Sequence, residues 1–195
     1  MTFFRHIIYL SLTFCFCSSL AQNQYLHFDR INLEEGLPQG HIFEIYEDTE
    51  GFIWFCTGGG LVKYDGYNMT IFDNDDRDST SISSRWVYCA IEDNKGRFWV
   101  GTGNGLNLFD RKKGTFRAYK HDPLNAQSLG YPVIQDIIED SAGRLWIGTE
   151  RGVDIFDPGT EIFTHIEAPG FIGHRTNPTL FEDRNGFIWA SSNNG

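Results

Sequence analysis

Glu92-Asp93-Asn94-Lys95-Gly96-Arg97-Phe98-Trp99-Val100-Gly101-Thr102-Gly103-Asn104-Gly105 is the stretch on which the fold turns. Its pattern, Glu-Asp-x-x-Gly-x-apolar-Trp-x-x-Thr/Ser-x-x-Gly, occurs four times, over residues 47–60, 92–105, 139–152 and 182–195. The shared positions are Asp48, Gly51 and Trp54; Asp93, Gly96 and Trp99; Asp140, Gly143 and Trp146; and Asp183, Gly186 and Trp189. Offsets inside the motif are identical, whereas successive tryptophans stand 45, 47 and 43 residues apart. A rigid core with loops that absorb length changes produces that combination, and a period of this size marks a repeat architecture.

Working outward, apolar runs precede each motif: 42–46, 87–91 and 134–138. They read as inner strands, buried on much of both faces. Asp-x-x-Gly reads as a hairpin in which the Asp side chain accepts from a backbone N–H two residues on and Gly takes a left-handed conformation. Phe98 to Thr102 is a second strand, with Trp99 and Gly101 on one face, so that a neighbouring sheet approaches over the glycine. Third strands follow at 61–65, 106–110 and 153–157, and outer strands at 68–72, 115–119 and 162–166. Four short antiparallel strands in about 45 residues make a β-propeller blade. The fold class is all-β: an incomplete propeller of about three full blades plus parts of two others, with an outer strand at Tyr25 to Asn32 and two strands of a last blade at the end. The four tryptophans read as packing core between blades.

The chain has 195 residues, 15% aromatic, with 21 glycines and a formal net charge of −10. Its acidity disfavours nucleic acid and anionic membrane surfaces as partners. Residues 1–21 read as a signal peptide: Arg5 and His6, the apolar run Ile7 to Phe16, then Ser19-Leu20-Ala21 before Gln22. Residues 22–195 then form the partial propeller. Cys56 and Cys89, the two cysteines outside the leader, read as small buried hydrophobes rather than a disulfide.

With these residues in place, the sequence resembles the two-component regulator propeller repeat. Gly36-Leu37-Pro38, Asp48 to Thr57 and Gly60 to Gly66 carry the resemblance in the first copy, and Asp140 to Thr149 with Gly152-Val153 and Phe156-Asp157 in the third. Cys56 departs from the glycine the family prefers, and Ala190-Ser191-Ser192 from its Ile-Gly-Thr run. The resemblance implies the exported, periplasmic sensor part of a hybrid histidine kinase of Bacteroidetes type, anchored in the inner membrane through its parent protein, detecting glycan breakdown products and holding no catalysis of its own. The chain is then expected to be a truncated piece whose partners are the remaining blades of the parent, an oligosaccharide ligand and a second sensor copy in a homodimer.

Loops that enter the inner strands are expected to meet around the axis on one face, where propellers bind ligands. They carry Gln39, His41, Arg85, Trp86, Tyr131, His174 and Arg175. Trp86 and Tyr131 suit stacking on a sugar ring, and Arg85 and Arg175 suit a uronic acid or sulfate. No catalytic residue, metal site or cofactor is expected. The run Asp73 to Asp78 lacks the glycine and distal glutamate of a calcium loop and reads as a solvated loop. Two competing readings are a propeller-fold carbohydrate-active enzyme and a protein-docking scaffold. Sialidase boxes place Asp two residues before Gly; here the gap is three in every copy.

Overall fold

The computed structural model describes residues 31, 33, 36–38, 41–166 and 178–191. The signal peptide expected over 1–21, and the outer strand expected at Tyr25 to Asn32 apart from Ile31, lie outside them. Fourteen strands are described. The first blade is β1 (Ile42–Glu47), β2 (Ile53–Thr57), β3 (Gly60–Tyr64) and β4 (Met69–Phe72). The second is β5 (Val87–Glu92), β6 (Phe98–Thr102), β7 (Gly105–Asp110) and β8 (Thr115–Tyr119). The third is β9 (Ile134–Glu139), β10 (Leu145–Thr149), β11 (Gly152–Asp157) and β12 (Ile162–Ile166). Each is an antiparallel sheet in sequence order, and β13 (Leu180–Glu182) pairs with β14 (Ile188–Ala190) as the start of a fourth. The expected strands stand at the expected places.

One expectation fails in part. β1 is not buried on both faces: Phe43 is 37% and Ile45 60% exposed. Ile42 packs against Leu37, Phe55 and Val62, whereas Ile45 stays largely open. Strands β5 and β9, flanked on both sides, bury more of their apolar residues.

The tryptophan face of each blade packs on the next blade. Trp54 joins Phe98, Val100 and Phe109 of the second blade in one cluster, and Trp99 joins Ile134, Ile137 and Phe156 of the third in another. Gly101 is what lets β9 come so near: a Cβ there would lie 2.6 Å from Ile134 Cγ2. At the same position in the first blade Cys56 fits, fully buried. Both thiols are free and buried, and burial pushes them well above the ordinary range.

The Asp of each motif does more than the expected turn bond. Asp93 Oδ1 accepts the N–H of Lys95 at 3.0 Å and of Arg97 at 2.9 Å. Its Oδ2 accepts Trp99 Nε1–H at 2.8 Å and Arg97 Nε–H at 2.6 Å. The same indole bond joins Trp54 to Asp48 and Trp146 to Asp140 at 2.8 Å, and Trp189 to Asp183 at 3.1 Å. The six-residue spacing of Asp and Trp is therefore a hydrogen-bond requirement as well as a packing one. Burial by itself raises these carboxyls, but for Asp48 the bonds from Arg111, Trp54 and Phe52 outweigh it and hold the group below its ordinary range.

The Glu before Asp93, Asp140 and Asp183 reaches backward across the blade junction. Glu92 accepts the N–H and hydroxyl of Thr49 at 2.9 and 2.7 Å. Glu139 accepts Asn94 N–H at 2.8 Å, and Glu182 accepts Ser141 N–H at 3.3 Å. Arg111 braces the first junction, bonding Asp48 Oδ2 at 2.7 Å and Glu92 Oε2 at 3.0 Å.

Connectors between blades are built alike. In residues 73–83, Ser81 Oγ accepts Asp75 N–H at 3.0 Å, and Thr80 O accepts Phe116 N–H of β8 at 2.7 Å. In residues 120–130, Ser128 Oγ accepts Asp122 N–H at 2.9 Å, and Gln127 O accepts Phe163 N–H of β12 at 3.1 Å. The acidic run at 73–78 is thus part of an ordered strap whose carboxylates bind their own backbone, not only a solvated loop.

Candidate functional site

The inner strands β1, β5 and β9 each carry a β-bulge near their start. Pairing slips between Ile42 and Glu44, between Val87 and Cys89, and opposite Gly148 and Thr149, so Phe43, Tyr88 and Gln135 are the extra residues. A bulge bends its strand and re-aims the extra side chain. Two of the three are aromatic, and they meet: the Phe43 and Tyr88 ring centroids are 4.8 Å apart, edge to face.

His41 and Trp86 join them. The His41 ring lies 4.5 Å from Phe43, and the Trp86 ring 6.3 Å from Phe43. Trp86 is 47% exposed, and its backbone is held by Gly103 N–H bonding its carbonyl at 2.8 Å. The result is a patch of four aromatic rings at the entry to β1 and β5, fixed at the backbone and open on its outer side. Arg85 stands next to it in sequence, 3.6 Å from Asp73.

The remaining expected residues divide. Tyr131 makes no ring contact with this patch among the described residues; its face is covered by Arg151, whose Cζ is 4.8 Å from the ring centroid. Gln39, His174 and Arg175 lie outside the described residues. The expected convergence of all entry loops is therefore seen for His41 and Trp86, while Tyr131 belongs to another surface. Phe43 and Tyr88 escaped sequence reasoning because they sit inside apolar strand runs. The signal that marks them is the bulge, which depends on pairing.

Below the patch, Glu44 and Asp136 reach to the next blade's inner strand. Glu44 Oε2 accepts Ala90 N–H at 2.8 Å, and Asp136 Oδ2 accepts Leu180 N–H at 2.6 Å. Desolvation raises both carboxyls above their ordinary range, more than these bonds lower them. They serve as ties between inner strands. Among the described residues no three His, Cys, Asp or Glu side chains assemble as a metal would require.

Against this geometry, comparison with known proteins is specific. The family model described as two component regulator propeller matches residues 36–59, 81–104 and 128–151. These three segments are two component regulator propeller repeats. Each begins at the end of a connector, runs through the inner strand and the Asp–Trp hairpin, and stops in the following turn. A histidine kinase from Formosa agariphila is 38% identical over 71 residues, which is 36% of this chain and 5% of that protein.

Among solved structures, the extracellular domain of the hybrid two component system BT3049 from B. thetaiotaomicron superposes with a TM-score of 0.70 at 23% identity, covering 84% of this chain and 29% of that one. The extracellular domain of the one component system BT4673 from the same organism gives 0.65 at 26% identity, covering 80% and 22%. Virginiamycin B lyase from Staphylococcus aureus gives 0.59 at 14% identity, covering 79% and 50%, a likeness of fold alone. The repeats here span a small part of the regulators they match.

Proposed function

We propose that this chain is a ligand-sensing propeller segment of an exported, periplasmic regulator, that its ligands derive from glycans, and that it performs no catalysis itself. The observation that carries the ligand reading is the exposed patch of His41, Phe43, Trp86 and Tyr88. Flat rings held on a rigid backbone offer the apolar faces of sugar rings a preformed surface, and preformed surfaces lose little freedom on binding. Arg85 adds a charge at the rim. The regulator repeats, and solved relatives that are extracellular domains, support placing this sensing outside the cytoplasm.

Any phosphotransfer belongs to a longer protein containing such a propeller, with a membrane anchor and further blades. The exposed Phe181 and Trp189 of β13 and β14 and the exposed Ile45 of β1 support further blades as partners. A homodimer of that longer sensor is part of the same reading.

The test is saccharide binding by the full chain, followed through tryptophan fluorescence across a panel of neutral and acidic oligosaccharides. Trp86→Ala is expected to weaken binding by roughly 3- to 10-fold, the worth of one aromatic contact, with thermal unfolding unchanged. Binding that is indifferent to both Trp86→Ala and Tyr88→Ala removes the patch from the reading.

A further inference from the structure

The repeat supplies an internal comparison between the slots where connectors meet blades. In the second blade, Ser83, Thr102 and Asn107 form a polar cluster in the slot. Ser83 Oγ is 2.9 Å from Thr102 Oγ1, Asn107 Nδ2 donates to Ser83 Oγ at 2.9 Å, and Ser83 N–H donates to Asn107 Oδ1 at 3.0 Å. All three residues are buried, so this polar cluster is neutral and satisfied, beside a cavity of about 330 Å³ that Ser83, Asn104 and Ala118 help to line. In the third blade Gly130, Asp154 and His165 replace Ser83, Asn107 and Ala118. The backbone bond survives: Gly130 N–H donates to Asp154 Oδ2 at 2.7 Å. The neutral cluster does not: a carboxylate and an imidazole line the matching cavity of about 440 Å³, beside Tyr131 and Arg151.

Polar groups converge on that cavity in fixed positions. His165 Nδ1 is 2.8 Å from Asp154 Oδ1, and its Nε2 is 3.1 Å from Ala126 O, so the ring is held between two acceptors. Only glycine fits at 130: a Cβ would lie 2.8 Å from His165 Nδ1 and 2.9 Å from Asp154 Oδ1. His121 is anchored by Nδ1 to Leu129 O at 2.7 Å. Asp154 is committed to His165 and Gly130, which leaves Arg151 as the charge without a carboxylate partner among the described residues. Its Cζ lies 4.8 Å from the Tyr131 ring centroid, and a guanidinium offers a carboxylate a two-pronged bond.

We infer that this third-blade cavity is a binding site for a carboxylate-bearing saccharide, with Arg151 on the carboxylate, Tyr131 behind Arg151, and His121 Nε2 on a hydroxyl. The volume suits one or two sugar units by the usual size of ligand pockets. The site is separate from the aromatic patch and rests on the sensing reading only for the saccharide class.

The test is calorimetric titration of the full chain with digalacturonate, beside neutral galactobiose and citrate, for the parent, Arg151→Gln and Trp86→Ala. Digalacturonate is expected to bind the parent in preference to both controls. Arg151→Gln is expected to weaken it roughly 10- to 100-fold, the worth of a charge-assisted pair. Equal binding of galactobiose removes the carboxylate, and equal binding of citrate removes the saccharide. Full affinity in Arg151→Gln, or no binding of digalacturonate to the parent, overturns the site. Loss in Trp86→Ala with Arg151→Gln unaffected also overturns it while sustaining the aromatic patch as the sensing surface.

Discussion

Replacing Asp93 by Asn separates the two jobs of the motif carboxylate. Oδ1 serves the turn by accepting Lys95 and Arg97 N–H, and the Asn carbonyl can take its place. Oδ2 serves the core, with Trp99 Nε1 at 2.8 Å and Arg97 Nε at 2.6 Å, and the Asn amide puts a donor against both donors. Flipping the amide only moves the conflict to the turn. Trp99 is 1% exposed, so its indole N–H cannot turn to water. Two bonds to a charged acceptor are lost, each worth about 1.5–3 kcal/mol, and relaxation of Arg97 to solvent recovers part, leaving a cost of about 3 kcal/mol. For a domain of this size that lowers the melting midpoint by roughly 6–12 °C. Asp183→Asn makes the same change in the same motif, but Trp189 is 62% exposed and water replaces the lost acceptor. Its midpoint is expected to stay with the parent. Thermal and urea unfolding of the two variants followed by circular dichroism decides the matter. Equal losses, or a larger loss in Asp183→Asn, refute the assignment of the motif's strength to buried indole bonds.

Gly101→Ala places a methyl against Ile134 and is expected to cost about 1–3 kcal/mol in urea unfolding, although alanine suits a strand better than glycine. Glu44→Gln keeps an acceptor for Ala90 N–H but removes a charge whose carboxyl is raised by burial. A raised carboxyl costs stability above its folded value and nothing below its unfolded one, so the variant is expected to be more stable than the parent at pH 7, with the gain vanishing as pH falls below 4.5. Asp48, Asp93 and Asp140 behave oppositely. Their lowered carboxyls contribute stability above 3.8 that is lost as pH falls through their folded values, and a urea midpoint dropping steeply below pH 4 checks this. Cys56 and Cys89 are expected to stay unlabelled by thiol reagents until the chain unfolds, because buried thiols with raised values carry little thiolate.

What the amino-acid order determined by itself was the blade. Asp-x-x-Gly, Trp and the Thr–Gly turn are local: hairpin geometry, strand alternation and a 43- to 47-residue period are all visible in one dimension. That is why the three four-stranded sheets lie where the pattern placed them. Gly101 was legible too, since a small residue beside a large ring on one face implies a close neighbour. Tertiary structure alone decided what passes between blades. The roles of Glu92, Glu139 and Glu182 appear only when Thr49, Asn94 or Ser141 of the preceding blade comes within reach. The site divides the same way. His41 and Trp86 stand out as loop residues, but Phe43 and Tyr88 are hidden in strand-like runs until a bulge, set by pairing with β2 and β6, turns them outward. Arg151 and His165 lie 14 residues apart and line one cavity only because β11 and β12 fold against the connector. Local order fixes backbone shape and side-chain period; which side chains share a surface depends on how sheets stack.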